Sequence, residues 1–227
     1  MIINLLGNVG SGKTIWLIRY IIKHNNFTYA NMDLMHYKKF HRIKKSDVYM
    51  DKPKKFNKKG EVTSYSLDVN WNFWDTARKK HNFDIAIDEI QAIWGSTRAN
   101  TNEGRCGMEF LCQVRKVLMG NKNNHIFALS QRVNGIPTAF RDLSHLWIVF
   151  QSKEFPSRLM KTKLCDGSYK MIPQTYIYCN YFEKTDDAVA FFENGFGKPK
   201  KTITFLANPY YRYYDTHQII SMDNEYL

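Results

Sequence analysis

The sequence contains few cysteines and no long apolar run, and both absences exclude classes of protein. Its four cysteines are widely spaced and form no C-x-x-C pair, which argues against a zinc site and favours free thiols in a reducing compartment. The most apolar stretch, residues 15–22, is interrupted by Arg19 and is too short to span a bilayer. No signal peptide, internal repeat or clear linker is evident. We therefore expect one domain over residues 1–227, without stable membrane insertion.

Acidic residues are also scarce. The chain has 21 aspartate and glutamate residues against 33 lysine and arginine residues, which gives a net charge of +12. An excess of this size favours an anionic partner such as nucleic acid, an acidic protein or a membrane surface, although a basic surface also promotes solubility.

The positive charge is concentrated in residues 38–59, which contain ten lysine and arginine residues against two aspartates. Helical periodicity is poor there, and Pro53 and Gly60 interrupt it, so we expect a long loop or a small hairpin that leaves the core over about residues 36–66. This stretch is either a solvated charged surface or a face that contacts DNA phosphates. The candidate DNA contacts are Lys38, Lys39, Arg42, Lys44, Lys45, Lys54 and Lys55.

Glycine is concentrated where it has a chemical use, in the segment Gly7-Asn8-Val9-Gly10-Ser11-Gly12-Lys13-Thr14. This segment, the phosphate loop, is a complete G-x-x-x-x-G-K-T motif and follows a short apolar run that is typical of a strand. Glycines let the backbone turn tightly with its N–H groups towards phosphate, and the start of the next helix adds partial positive charge. Lys13 can reach the β- and γ-phosphates, and the Thr14 hydroxyl can ligate Mg²⁺. The motif predicts ATP and Mg²⁺ as cofactors.

A second apolar run, residues 83–87, ends in the consecutive carboxylates Asp88 and Glu89. This is a Walker B pattern, in which Asp88 holds Mg²⁺ directly or through water and Glu89 acts as the general base on the attacking water. Such acidic pairs are common at strand ends, so the interpretation depends on the phosphate loop in the same chain.

Between and after these motifs, helix-like and strand-like patterns alternate, which predicts a mostly parallel sheet between two layers of helices. Helices are expected at 15–22, 71–81, 108–120 and 186–193, strands at 27–31, 125–131, 146–151, 168–182 and 202–206, and a mobile polar loop at 95–105. The aromatic run at 209–216 is expected to pack back on the domain. The fold class is therefore α/β, a three-layer P-loop NTPase of RecA-like type, with a β-rich C-terminal extension over about residues 152–227.

The strand at 125–131 is the candidate for an additional catalytic strand. In P-loop enzymes with such a strand, it lies beside the phosphate loop, and a polar residue at its carboxyl end points at the γ-phosphate. Gln131 occupies that position, with Ser130 as the alternative.

The motifs GNVGSGKT, FDIAIDEIQAIW and HIFALSQR, with an arginine-bearing helix before the last and a proline shortly after it, resemble the FtsK/HerA superfamily of P-loop DNA-pumping ATPases over roughly residues 1–150. Two groups in that superfamily are most similar: viral genome-packaging ATPases, and zonula-occludens-toxin-like assembly proteins of filamentous phages. The sequence lacks an obvious transmembrane segment like those of many toxin-like proteins, which favours packaging.

The resemblance implies roles for particular residues. Lys13 and Thr14 bind phosphate and Mg²⁺, Asp88 and Glu89 serve the metal and the water, and Gln131 senses the γ-phosphate. It also implies a ring of subunits in which a neighbour supplies an arginine finger. Arg115 is the candidate finger because it lies in the helix before the sensor strand, and a surface salt bridge is the alternative role. The competing candidates are Arg98, Arg132 and Arg141.

The function implied is ATP-driven movement of double-stranded DNA into a viral capsid, in the host cytoplasm or associated with the virion, with capsid or portal-like vertex proteins as partners. A toxin-like ATPase that extrudes or assembles virions at a membrane is the first alternative. A nucleotide or small-molecule kinase is the second, and a nonhydrolysing nucleotide switch is a minor one. Glu89 argues against both of the last two, because neither needs a water-activating carboxylate.

Overall fold

A computed structural model of the chain describes residues 1–80, 82–94, 101–118 and 124–215. Its strands are β1 (Ile2–Leu6), β2 (Phe27–Ala30), β3 (Phe40–Arg42), β4 (Tyr49–Phe56), β5 (Val62–Val69), β6 (Phe83–Ile87), β7 (Ile126–Ser130), β8 (Leu146–Lys163), β9 (Tyr169–Phe182) and β10 (Lys201–Leu206). Its helices are α1 (Lys13–His24), α2 (Lys45–Val48), α3 (Trp71–Lys80), α4 (Ile90–Trp94), α5 (Asn102–Leu118), α6 (Thr138–Asp142) and α7 (Thr185–Asn194). Two 3-10 turns cover Val133–Gly135 and Asn208–Tyr213.

In the described part of the chain the main sheet has eight strands in the order β10-β9-β8-β1-β7-β6-β2-β3. The six strands from β8 to β3 are parallel to their neighbours, and β9 and β10 add an antiparallel edge. The prediction of a mostly parallel sheet is confirmed. The predicted position of the additional strand is also confirmed, because β7 lies between β1, which leads into the phosphate loop, and β6, which ends at the acidic pair.

The two faces of the sheet are covered by different helices, which makes three layers. Alternate residues of β1 show this division: Ile2 and Leu6 belong to one buried cluster, with residues of α3 and α5, whereas Ile3 and Leu5 belong to the other, with residues of α1. Every residue of β1 is buried, as expected for a central strand covered on both faces. Burial on both faces fixes β1 rigidly, and the phosphate loop is therefore held at one end.

The basic stretch is less separate from the core than predicted. Residues 40–42 form β3, the parallel edge strand of the main sheet, and Ile43 and Val48 are fully buried. The hairpin that leaves the core is β4–β5, which we call the basic hairpin, with residues 51–60 all exposed. The apolar side chains between the lysines are buried, and they place the first part of the stretch in the core. The high content of basic residues did not indicate this.

Two predicted boundaries were wrong. The helix predicted at 108–120 begins at Asn102, so the predicted loop at 95–105 is helical in its last residues, and residues 95–100 lie outside the described part. The Thr101 hydroxyl accepts the Gly104 N–H at 2.9 Å, an N-capping contact that starts this helix despite its glycines. The strand predicted at 146–151 continues to Lys163, because it pairs with β9 along an arm that extends beyond the sheet. We call β8 and β9 the long hairpin.

The aromatic run packs back on the domain as predicted, as far as it is described. Tyr210, Tyr211, Tyr213 and Tyr214 pack against the cluster that contains α1. We call residues 207–215 the C-terminal segment. Within the described ranges, no helix combines the length and the apolar character needed to cross a membrane.

The cysteines are free, as predicted, and they differ in burial, which gives a test of this packing. Cys179 is fully buried in β9, and burial raises the pKa of its thiol to about 12 from 9.0, whereas Cys165 is partly exposed. Since the thiolate is the reactive form, Cys179 holds about 10³-fold less of it at pH 8 than an unshifted thiol. We expect iodoacetamide at pH 8 to label Cys165 first and Cys179 only after denaturation, as followed by peptide mass spectrometry. Equal labelling rates in the native protein would contradict this packing.

Candidate nucleotide site

The phosphate loop joins β1 to α1 in the strand–loop–helix arrangement that the motif requires. Gly10 and Gly12 have positive φ of 75° and 94°, in the left-handed region that other residues rarely adopt. The loop is braced by two hydrogen bonds, from the Gly7 N–H to the Ser130 carbonyl oxygen at 3.3 Å and from the Ser152 hydroxyl to the Gly10 carbonyl oxygen at 3.0 Å. Strands on both sides of β1 therefore hold the loop in place.

The Lys13 side chain is buried and folds back over the phosphate loop. Its ammonium donates to the carbonyl oxygen of Gly7 at 2.7 Å and to that of Asn8 at 3.2 Å. Burial lowers the pKa of this ammonium, and the carboxylates of Asp88 and Glu89 oppose that shift. A buried cation in a glycine-rich loop at the start of a helix is suited to bind an anion, since phosphate oxygens can replace the two carbonyl acceptors.

Thr14 and Asp88 meet on the floor of the site. The Thr14 hydroxyl donates to the Asp88 carboxylate at 2.9 Å, and Asp88 is 2% exposed. Asn31, at the end of β2, clamps the Asp88 backbone with two hydrogen bonds: its amide donates to the Asp88 carbonyl oxygen at 2.8 Å, and its own oxygen accepts the Asp88 N–H at 2.7 Å. Burial raises the pKa of the Asp88 carboxyl to about 6, although the bond from Thr14 opposes the shift. Sequence reasoning missed Asn31, whose role depends on β2 lying beside β6.

This donor set fits Mg²⁺. The described residues contain no cluster of three or more His, Cys, Asp or Glu side chains that could form an all-protein metal cage. Mg²⁺ usually takes one or two protein ligands and fills its remaining positions with phosphate and water oxygens. The adjacent oxygens of Thr14 and Asp88, beside a loop shaped for phosphate, provide that kind of partial site.

Glu89 adopts an unusual backbone conformation, with φ of 50°. Such a conformation in a non-glycine residue costs of order 1–3 kcal/mol and occurs preferentially at functional sites. Its carboxylate accepts hydrogen bonds from the side-chain amides of Gln131, at 2.6 Å, and of Gln91. The carboxylate is thereby fixed beside the pocket at a defined orientation. Gln91 is a second residue that the sequence patterns did not single out.

The two candidate residues at the end of β7, Ser130 and Gln131, have different surroundings. The Ser130 side chain is buried and donates to the Arg132 carbonyl oxygen at 2.7 Å, so it closes the turn after β7. Gln131 instead lines the pocket together with Lys13 and Glu89. The pairing of β7 with β1 and β6 is what places this amide between the phosphate loop and the acidic pair.

These groups line one cavity of about 490 Å³ at the carboxyl ends of the parallel strands. Val9, Gly10, Gly12, Lys13, Thr14 and Ile15 form one wall, and Asp88, Glu89 and Gln131 form another. The long hairpin and the C-terminal segment supply the rest, through Glu154, Thr175, Ile177, Tyr211 and Tyr214. Sequence reasoning missed this third wall, although the tyrosine-rich run was visible, because no local motif connects it to the phosphate loop.

Among the described residues, none of the candidate arginines lines the cavity. Arg115 lies in α5, and its side chain is outside what the structure describes, as is the whole of Arg98. Arg132 is exposed just after Gln131, and Arg141 donates to the Thr138 hydroxyl at 2.9 Å. The role of an arginine finger stays a prediction for all four residues.

The candidate DNA contacts fall into two sets. Arg42 and Lys45 are engaged in ion pairs, with Asp33 and Glu103, and Lys39 donates to the Asn25 carbonyl oxygen. The remaining candidates are exposed: Lys38, Lys44, Lys54 and Lys55. The last two lie on the basic hairpin beside Lys58 and Lys59, where they can contact a polyanion without breaking an existing pair.

No protein-family model matches the chain, and a search of curated proteins finds no similar sequence. Among solved structures, the chain is similar to the N-terminal domain of zonular occludens toxin from Neisseria meningitidis, with a TM-score of 0.47 and 13% identity over 90% of this chain and 92% of that one. It is also similar to the genome packaging NTPase of Sulfolobus turreted icosahedral virus 2 in complex with ATP-gammaS, with a TM-score of 0.38 and 16% identity over 66% and 74% of the two chains. These are the two groups of proteins that the sequence resembles.

Proposed function

We propose that this protein is an ATP-hydrolysing motor that moves double-stranded DNA into a viral capsid. The observation that carries the hydrolytic part is the Gln131–Glu89 contact, in a cavity that Asp88 and Lys13 also line. A nucleotide switch or kinase needs the phosphate loop but does not need a fixed carboxylate with a polar partner at that position. The excess of basic residues supports a polyanion such as DNA as the molecule that the motor moves.

The residues divide the reaction between them. The phosphate loop N–H groups and the Lys13 ammonium bind the β- and γ-phosphates and stabilise the negative charge that develops on them. Glu89 takes a proton from a water whose oxygen attacks the γ-phosphorus, and Gln131 orients that water and the γ-phosphate. The bond from the γ-phosphorus to the bridging oxygen breaks, which leaves ADP and inorganic phosphate. Thr14 and Asp88 would hold Mg²⁺, which supplies charge neutralisation between the phosphates when it is bound.

We propose further that the subunits form a ring and that a neighbour contributes an arginine finger, with Arg115 as the candidate. A finger supplied in trans is worth about 10³–10⁵ in turnover. Turnover per subunit should therefore rise steeply with protein concentration and reach a plateau when the ring is complete. The same proposal includes capsid or vertex proteins that recruit the motor. It also includes a location in the host cytoplasm or on the virion.

The test is the ATPase rate with and without double-stranded DNA, measured across protein concentration and salt. We expect DNA to stimulate the rate and the stimulation to decline as salt rises, because phosphate contacts release counterions. An ATPase that is indifferent to both DNA and concentration would contradict the motor. Stimulation by single-stranded DNA alone, together with flotation on lipid vesicles, would instead favour a toxin-like assembly ATPase.

The basic hairpin gives a sharper prediction. Replacing Lys54 and Lys55 by glutamine should lower DNA affinity and reduce the slope of log affinity against log salt by roughly 2, since each lost phosphate contact contributes about 0.9. The matched control replaces Lys79 and Lys80, two adjacent exposed lysines at the end of α3, which should leave both quantities unchanged. Fluorescence anisotropy with a labelled duplex measures both. Equal losses in the two variants would show that only net charge matters, and the hairpin would not be a DNA contact.

A further inference from the structure

The third wall of the cavity is not explained by phosphate chemistry. Its polar members are the Glu154 carboxylate, the Thr175 hydroxyl and the tyrosines Tyr211 and Tyr214, and Ile177 is its apolar member. A carboxylate is unsuited to bind phosphate, because the two groups repel each other. A wall that combines aromatic rings with a hydrogen-bond acceptor is instead suited to the uncharged half of a nucleotide, its sugar and base.

The wall is firmly built. The Ala207 N–H donates to the Thr175 carbonyl oxygen at 2.8 Å, and the buried Asn208 side chain accepts the Thr175 N–H at 3.0 Å. The same side chain donates to the Thr162 hydroxyl of β8 at 3.2 Å. At the other end, the Met35 N–H donates to the Tyr213 carbonyl oxygen at 2.9 Å. The C-terminal segment is thus tied to the long hairpin and to the loop after β2, so Tyr211 and Tyr214 are held in place before a ligand arrives.

The polar groups of this wall are coupled to each other. Tyr211 is half-buried, and burial raises the pKa of its phenol, a rise to which the nearby Glu154 charge adds and which the Thr175 side chain opposes. Among the described residues, no lysine or arginine forms an ion pair with the Glu154 carboxylate. Its acceptor capacity is available to a ligand that donates hydrogen bonds. In a nucleotide, the ribose hydroxyls are such donors, and acidic residues bind them in other nucleotide sites.

The wall also lies directly against the phosphate loop. Ile177 packs so closely on Gly12 that a Cβ at Gly12 would lie 2.3 Å from the Ile177 Cδ1 atom. The third wall and the phosphate loop therefore border one continuous cavity, so a nucleotide with its triphosphate at the loop has Glu154 and the tyrosines within the same space.

We propose that the long hairpin and the C-terminal segment form the nucleoside subsite, in which Tyr211 and Tyr214 pack against the base and Glu154 accepts hydrogen bonds from the ribose hydroxyls. The inference rests on the proposed function, since it assumes that the phosphate loop binds a nucleoside triphosphate. It adds that the site recognises the ribose 2′-hydroxyl and so prefers ribonucleotides to deoxyribonucleotides.

The test compares three probes by calorimetry on the full chain with Mg²⁺: ATP, 2′-deoxy-ATP and inorganic tripolyphosphate. The wild-type protein should bind ATP more tightly than 2′-deoxy-ATP. Glu154→Ala should weaken ATP binding about 10- to 100-fold, the range for a hydrogen bond to a charged group, and should remove the discrimination between the two nucleotides. Tyr211→Ala should weaken both nucleotides about 10-fold or more through lost stacking. Neither change should alter tripolyphosphate binding.

Two controls keep the outcome interpretable. Tyr211→Phe retains the ring and should therefore lose less affinity for both nucleotides than Tyr211→Ala, and Glu183→Ala removes an exposed carboxylate just after the long hairpin and should change nothing. Unchanged tripolyphosphate binding in Tyr211→Ala shows that the loop is still folded; if that binding is lost, Tyr214→Ala is measured in its place, with the same expectations.

The proposal is overturned if the wild type does not discriminate between ATP and 2′-deoxy-ATP, if Glu154→Ala retains the discrimination, or if the tyrosine variant binds ATP like the wild type. In each of these cases tripolyphosphate still binds, so the phosphate site stands. Failure of the wild type to bind any of the three probes is the distinct result that removes the proposed function itself.

Discussion

Replacing Glu89 by glutamine is expected to lower the ATP turnover number about 10²–10⁴-fold while leaving ATP binding close to that of the wild type. Glutamine has the same shape as glutamate, and its amide oxygen can still accept the hydrogen bond from Gln131. It cannot take a proton from water at neutral pH, so the substitution removes the general base, together with the hydrogen bond that Gln91 donates to the second carboxylate oxygen. Steady-state phosphate release measures turnover, and calorimetry with ATP measures binding.

The matched control for this variant is Glu183→Gln, which makes the same chemical change at an exposed carboxylate paired with Lys200, far along the chain from the acidic pair. It should retain full turnover, because a surface ion pair contributes little. If Glu89→Gln keeps more than about half of the wild-type turnover, Glu89 is not the general base, a role that would account for at least a 100-fold effect. If it loses ATP binding in the same proportion as turnover, the carboxylate acts in binding instead.

The parts of the site that could be predicted from sequence are those whose chemistry is encoded in adjacent residues. The phosphate loop needs four residues of given types at fixed places within eight consecutive positions, and Asp88 and Glu89 are neighbours at the end of an apolar run. Gln131 could be predicted for a related reason, since the end of a buried strand in a parallel sheet lies at the same edge as the other strand ends. In each case a local pattern and one topological rule were sufficient.

The rest could not be predicted, because it depends on contacts between distant segments. Asn31 holds the Asp88 backbone only because β2 is the neighbour of β6, which no pattern around Asn31 indicates. Glu154 and Tyr211 reach the cavity only because β8 pairs with β1 and continues past it as the long hairpin. A charged residue on an exposed strand and a tyrosine in an aromatic run have no spacing that distinguishes a ligand contact from surface or packing.

Composition misled in one place for a physical reason. Ten basic residues in residues 38–59 predicted a segment outside the core, yet Ile43 and Val48 are fully buried within it. Lysine and arginine side chains are long enough to reach solvent from a backbone that is itself part of a sheet or helix. Net charge therefore describes the surface of a segment, whereas the few apolar positions decide where its backbone lies.

Replacing Gly12 by alanine is expected to weaken ATP and tripolyphosphate binding by at least about 100-fold. Two independent costs act there. The backbone φ of 94° is strained for any residue with a Cβ, at about 1–3 kcal/mol, and the new Cβ would lie 2.3 Å from the Ile177 Cδ1 atom in a packed core, where overpacking costs a further 1–3 kcal/mol. The loop can relieve both only by moving the N–H groups that bind phosphate. Calorimetry measures the affinity, and thermal unfolding measures the accompanying loss of stability.

Two further variants separate the two costs of Gly12→Ala: the overlap of the new Cβ with Ile177 and the strain of the positive φ. Gly60→Ala makes the same change at a φ of 82° with nothing within 4 Å of the new Cβ, at the tip of the basic hairpin, so it reports backbone strain alone and should leave phosphate binding intact. In the double variant Gly12→Ala with Ile177→Ala, the overlap disappears while the φ remains. Measured against Ile177→Ala alone, the double variant should recover part of the affinity, and the size of the recovery is the coupling between loop and long hairpin. No recovery would mean that the backbone requirement is decisive and that the long hairpin covers the phosphate loop without shaping it. Wild-type affinity in Gly12→Ala would contradict both costs at once.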